Sequence, residues 1–169
     1  MIYQPSKVIL TSGSGRAFKK LVSFEMALRD AKIARFNLIQ VSSILPPNIV
    51  PSYNIEELEL IQSGSIVPCV LSRCEFDNTS KEWEEGIISS AIGIAYDDKY
   101  VSENNYGFLS EFHKDWITEK ECGIEAEEIA KEMLFTIKGD IEFRSMYISK
   151  GVEAQKGFWT TVVSAAILV

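Results

Sequence analysis

The sequence predicts an α+β fold arranged as a four-layer α-β-β-α sandwich, and three observations carry that prediction. Apolar residues recur at intervals of three and four in two segments. Several shorter runs, bounded by Gly, Pro and polar clusters, are rich in apolar and β-branched residues instead. Each helix has one apolar stripe to hide, and two sheets packed back to back with a helix on each outer face bury every apolar surface. The 169 residues suffice for one core, so 1–169 is read as one domain.

Taken in order, Lys7–Thr11 (KVILT) reads as a strand and Thr11–Gly15 (TSGSG) as a polar turn. Arg16 to about Ala34 has helical spacing, with Leu21, Phe24, Leu28 and Ala31 as its apolar stripe. Phe36–Val41 is a strand that stops at Ser42-Ser43 and Pro46-Pro47, since proline has no amide to give a ladder. Asn48–Leu60 reads as a loop with an acidic turn, and Gly64–Ser72 as a strand in which Pro68 marks an edge or bulge. After the charged turn Lys81–Glu85 comes Ile87–Tyr96, apolar and small on both faces as a buried strand requires. Asp97–Asn105 is a polar loop and Tyr106–Phe112 a strand. Ile124–Lys138 is helical through Ile129, Met133 and Ile137, and Gly139 ends it. Phe143–Lys150 and Phe158–Val169 complete the strands.

Composition narrows the function. A net charge of -7 repels phosphate backbones, so no nucleic-acid partner is expected, and it gives weak support to a cationic ligand. The most apolar stretch, Thr160–Val169, is too short to span a bilayer, so no membrane partner is expected either. Met1 is not followed by a basic stretch and an apolar segment, and the expected location is the cytoplasm. Cys69, Cys74 and Cys122 are odd in number and lack the second pair of a metal site, so they read as reduced, buried thiols with no metal. The Ser12–Gly15 run lacks the Lys of a phosphate loop. His113 is the one histidine, and Trp83, Trp116 and Trp159 have no stacking spacing.

The informative stretch is Asn37-Leu38-Ile39-Gln40-Val41-Ser42-Ser43-Ile44-Leu45-Pro46-Pro47. On residue type alone, a serine pair before prolines is an ordinary turn. At a strand end, however, a serine hydroxyl is able to attack the carbonyl before it and convert the amide to an ester. Elimination then frees a carboxylate and leaves, after hydrolysis, a ketone beside a carbonyl. Such a group is an electron sink. The attack needs a donor for the oxyanion.

This run resembles the processing site of the pyruvoyl-dependent arginine decarboxylases. The resemblance continues through Phe24-Glu25-x-Ala27-Leu28-x-x-Ala31, Gly64–Pro68, Ile88–Ala95, Gly107–Phe112, Glu125–Lys138 and Gly157–Ile167. It implies a chain cut between Ser42 and Ser43 into pieces 1–42 and 43–169, with Ser43 becoming a covalent pyruvoyl cofactor. It implies that Asn37 supports the cut and that Glu111 returns a proton to carbon after CO2 leaves, best if burial raises its pKa. Glu25 stands where the family has an aspartate for the cationic substrate, and Leu21 and Ile44 match apolar contacts. The implied reaction is arginine to agmatine. The one-methylene-longer Glu25 leaves open the same chemistry on another cationic amino acid, and a relative that is never cut and serves as a binding or regulatory subunit is the remaining alternative. Asn37 and Ser43 are six residues apart, roughly 20 Å along a straight strand. Either the strand bends, or Asn37 serves a neighbouring subunit. The resemblance implies a homotrimer, or a dimer of trimers, with sites between subunits, which fits the second option.

Overall fold

The computed structural model describes residues 3–82, 84–97 and 105–169. Trp83, and most of the expected loop Asp97–Asn105, lie outside them. Eight strands and two helices follow in the order β1 (Val8–Ala17), α1 (Lys20–Asp30), β2 (Asn37–Gln40), β3 (Ile44–Leu45), β4 (Ile66–Asp77), β5 (Ile87–Tyr96), β6 (Gly107–Asp115), α2 (Glu119–Lys138), β7 (Arg144–Glu153) and β8 (Trp159–Leu168). They form two four-stranded sheets, β1-β8-β4-β2 and β3-β6-β5-β7. α1 lies on the first sheet and α2 on the second, so the layering is α-β-β-α as the apolar patterns predict.

Strand alternation divides the core. Along β1, Val8 and Leu10 pack between the sheets with Val70, Ile92, Ile94, Leu109 and Leu168. Ile9 turns the other way, toward Ala27 and Ala31 of α1 with Cys69, Val163 and Ile167. Fully buried residues such as Ile92, Ile94 and Leu109 contribute about 1.5–3 kcal/mol each. Three buried hydroxyls tie the sheets together. The Ser72 Oγ donates to Phe112 O at 2.7 Å, the Ser164 Oγ to Ser90 O at 2.9 Å, and the Ser90 and Ser164 hydroxyls meet at 3.1 Å. Cys69, Cys74 and Cys122 are free and buried, as expected.

The structure corrects several boundaries, and each has a cause. Thr11–Gly15 is not a turn: it continues β1, paired rung for rung with β8 as far as Ala17 and Trp159. Its glycines serve the helix. A Cβ on Gly15 would lie 2.2 Å from Ser23 O, and one on Gly13 would lie 2.4 Å from Ala27 O, so α1 rests directly on the β1 backbone. Because β1 runs so far, α1 starts at Lys20 rather than Arg16. It ends at Asp30, where the Thr11 hydroxyl caps Ala31 O at 2.7 Å. The buried side of α1 is Ser23 and Ala27, flanked by Phe24 and Leu28, and Leu21 is 73% exposed and outside the core stripe. The acidic turn within Asn48–Leu60 is a 3-10 turn, Ile55–Leu60. β4 runs on past Ser72 to Asp77, and Pro68 is tolerated because pairing with β8 begins at Cys69. α2 begins five residues before Ile124, at a capping box between Thr118 and Glu121.

The two helix–sheet contacts follow one rule. On the other side of the sandwich a Cβ on Gly93 of β5 would meet Ala126 O of α2 at 2.0 Å. Gly93→Val is therefore expected to cost about 3 kcal/mol or more, since backbone must move. Gly64→Ala, at φ 83° but in open space, is expected to cost about 1–2 kcal/mol. Urea denaturation of the two variants measures the difference.

Candidate active site

The two serines lie where the chain changes sheets. β2 is an edge strand, parallel to β4 from Asn37–Ile66 to Gln40–Cys69, and its last tie is Val41 N–H to Cys69 O at 3.0 Å. β3 is the edge strand of the other sheet, pairing Ile44 and Leu45 with Phe108 and Gly107 of β6. Only Ser42 and Ser43 lie between Val41 and Ile44. Ser43 O accepts Leu109 N–H at 2.9 Å, which pins the second serine to β6. Ser42 O accepts Ile44 N–H at 2.8 Å, a three-residue turn centred on Ser43.

Glu111 lies two residues beyond that pin on β6, on the same face as Leu109, directed between the sheets. β2 and β3 both stop short of this level, so the gap opens to solvent and Glu111 remains exposed at its mouth. Burial nevertheless pushes the Glu111 carboxyl above the usual carboxylate range, while His113 and the Leu71 backbone amide pull the other way. His113 shares its face, two residues on. Glu111 also adds to the burial that pushes the Cys69 thiol up to about 11, so the acid lies within electrostatic reach of the β4 residue that accepts the Val41 amide. The Leu71 amide has no sequence signal, being backbone.

Asn37 begins β2, exposed, and its Nδ2 donates to Gly64 O at 2.8 Å. β2 does not bend back, so within one chain this amide stays at the far end of the strand from Ser43. Ile44, at the crossing, is 39% exposed. Leu21 and Glu25 lie one turn apart on the outer face of α1, and Glu25 Oε1 accepts Arg29 Nε at 2.6 Å. α1 packs chiefly on β1 and β8 and reaches β4 through Phe24, beneath the Arg73 guanidinium, and the Lys20–Glu75 pair, whereas β2 lies beyond β4. One chain thus brings Ser42, Ser43, Ile44 and Glu111 together and holds Leu21, Glu25 and Asn37 apart from them.

A pyruvoyl group made from residue 43 fits these surroundings: the carbonyl to be released is already hydrogen-bonded, and a carboxyl of raised pKa stands in the same opening.

Comparison with known proteins agrees. The family model described as pyruvoyl-dependent arginine decarboxylase matches residues 7–169. A pyruvoyl-dependent arginine decarboxylase of Methanocella arvoryzae is 43% identical over 166 residues, covering 98% of this chain and 96% of the relative. Pyruvoyl-dependent arginine decarboxylase 2 of Methanosarcina acetivorans is 38% identical over 186 residues, 98% of this chain and 97% of its own length. The chain belongs to the pyruvoyl-dependent arginine decarboxylase family.

Proposed function

We propose that this protein cuts itself between Ser42 and Ser43, and that the resulting chains, 1–42 and 43–169, form one domain that decarboxylates L-arginine to agmatine. The observation that carries the reading is the shared opening, which holds the Ser42–Ser43 bond and an acid of raised pKa on the same β3–β6 pair. The pyruvoyl group supplies the electron sink. The chain's own residues do the rest. Glu111, whose carboxyl keeps its proton to higher pH than an ordinary carboxylate, is the group to return a proton to carbon once CO2 has left.

Substrate binding falls to Glu25, with Leu21 and Ile44 as apolar walls. Glu25 is bonded in this chain to Arg29 Nε, so a substrate guanidinium has to take that partner's place. Because Glu25 and Leu21 lie on α1, across the sheet from Ser43, we assign them to a neighbouring subunit's site, together with Asn37. A homotrimer, or a dimer of trimers, meets that need, and exposed Phe18, Leu21, Ile39 and Ile66 supply apolar surface for it. No helix among the described residues is long and apolar enough to cross a membrane, and the proposed location is cytoplasmic.

Each assignment has a measurable consequence. Ser43→Ala should remain one band on a denaturing gel while the wild type gives 1–42 and 43–169; a whole wild-type chain removes the reading in favour of an uncut binding subunit. Glu111→Gln should still be cut but should lose roughly 10²–10⁴ in kcat, and turnover of arginine against lysine, ornithine and histidine tests Glu25. Since Glu111 has its folded pKa raised, activity should persist above the ordinary carboxylate range and fall as pH rises through that folded value. The same group's contribution to stability is present below the unfolded value and lost as pH rises through the folded one. Glu111→Gln should therefore raise Tm at neutral pH and leave it unchanged below about pH 4.

A further inference from the structure

We infer that Arg29 is a specificity-determining residue: by occupying one oxygen of the Glu25 carboxylate it penalises a guanidinium substrate more than an ammonium. The inference rests on the reading of Glu25 as the carboxylate that binds the substrate cation, and adds the group with which that cation competes.

Geometry carries it. Leu21, Glu25 and Arg29 follow at four-residue steps along α1 and stand in one row on its surface. Arg29 Nε donates to Glu25 Oε1 at 2.6 Å. The Arg29 side chain is 71% exposed and that of Glu25 41%, so a cation arriving at Glu25 meets Arg29 there. The hydrogen bond engages Oε1 and leaves Oε2 for a second donor.

The surroundings keep Arg29 on this partner. An acid four residues ahead of a base is the favourable order on a helix. The adjacent Asp30 is drawn elsewhere, its Oδ2 accepting the Ser14 amide at 2.9 Å. The cavity that Arg29 helps to line, of about 240 Å3, is also lined by Lys32 and Arg35 against one carboxylate, Glu59. Turning into it would bring Arg29 toward two cations.

The consequence is chemical discrimination. A guanidinium binds a carboxylate best as a fork, with two parallel bonds that need both oxygens. An arginine substrate therefore has to displace Arg29. An ammonium is a point charge that one oxygen holds, so it fits on Oε2 while Arg29 keeps Oε1. Both cations feel the neighbouring positive charge, but only the guanidinium also has to break a hydrogen bond. No covalent step involves Arg29, so its effect falls on binding and not on the chemistry at residue 43.

The test compares the whole, self-processed enzyme with Arg29→Met. KM for arginine should fall about three- to tenfold, the worth of one exposed pair and one nearby charge, while kcat holds. Inhibition compares the two cations without a second substrate. The Ki of agmatine should fall by the same factor, and that of the diamine formed from lysine by about twofold or less. Arg29→Gln is a second neutral variant and should match Arg29→Met. Arg29→Lys, which keeps a cation within reach of Glu25, should stay near wild type. A Tm within a few degrees of wild type shows each fold intact. Unchanged KM and Ki in the neutral variants overturn the inference, as does a fall shared equally by both amines, or the same fall in Arg29→Lys. Glu25→Gln separates this role from the reading beneath it. If that variant leaves KM for arginine unmoved, Glu25 does not bind the substrate and both fall. If it raises KM while Arg29→Met changes nothing, the Glu25 reading survives and the Arg29 role does not.

Discussion

The chain has two residues in which to leave one sheet and enter the other, and the rest of the site depends on that short crossing. Val41 is fixed to β4 of the first sheet and Ser43 to β6 of the second. Between these ties the backbone has little slack, so the peptide joining Ser42 to Ser43 has its carbonyl aimed by structure already paid for in the sheets. A serine pair in a free loop would sample many orientations, and most would keep the hydroxyl from the carbonyl carbon. The hydrogen bonds that end β2 and begin β3 therefore serve as positioning elements for the chemistry.

The same shortness creates the opening. β2 and β3 are the edge strands of their sheets, and both are brief, so β4 and β6 continue beyond them with uncovered edges. Glu111 occupies that stretch of β6. There it is dry enough on the sheet side for burial to raise its pKa, yet open enough at the mouth for a substrate to enter. A longer β2 would have covered Glu111, and a longer loop would have freed Ser43. The single histidine, His113, tempers the shift from the same strand face, and the thiols nearby are pushed too far up to compete as acids, Cys69 to about 11.

Much of this was legible in the sequence, and what was not has physical causes. Ile87–Tyr96 was read to the residue because a strand buried on both faces leaves no room for polar punctuation. The layering followed from two apolar stripes. The Thr11–Gly15 error came from reading Ser and Gly as turn formers, when the glycines meet a steric demand from α1 that no local pattern encodes. Leu21 was placed in the core stripe by periodicity, which reports spacing but not which face is turned inward. The early start of α2 was available in Thr118-Glu119-Lys120-Glu121, a capping box. For the site, side-chain candidates carried signals in residue type. The Leu71 amide carried none, because a backbone donor is the same for every residue except proline.

The sheet order also explains how the fold would survive the proposed cut. Piece 1–42 contributes β1, α1 and β2, and in the order β1-β8-β4-β2 its two strands are the outer pair around β8 and β4 of piece 43–169. β1 is held to β8 by ten rungs and β2 to β4 by four. Val8, Ile9, Leu10, Ala27, Ile33 and Phe36 of the smaller piece are buried in clusters shared with the larger. Six such side chains outweigh anything the covalent link contributes, since the link only limits how far two already interlocked pieces could separate. If the bond between Ser42 and Ser43 is cut as proposed, the sheets stay joined on this side by the Ser72 hydroxyl on Phe112 O and by the Leu71 amide on Glu111. The proposed cut thus falls on a link between two pieces that the sheets already hold together.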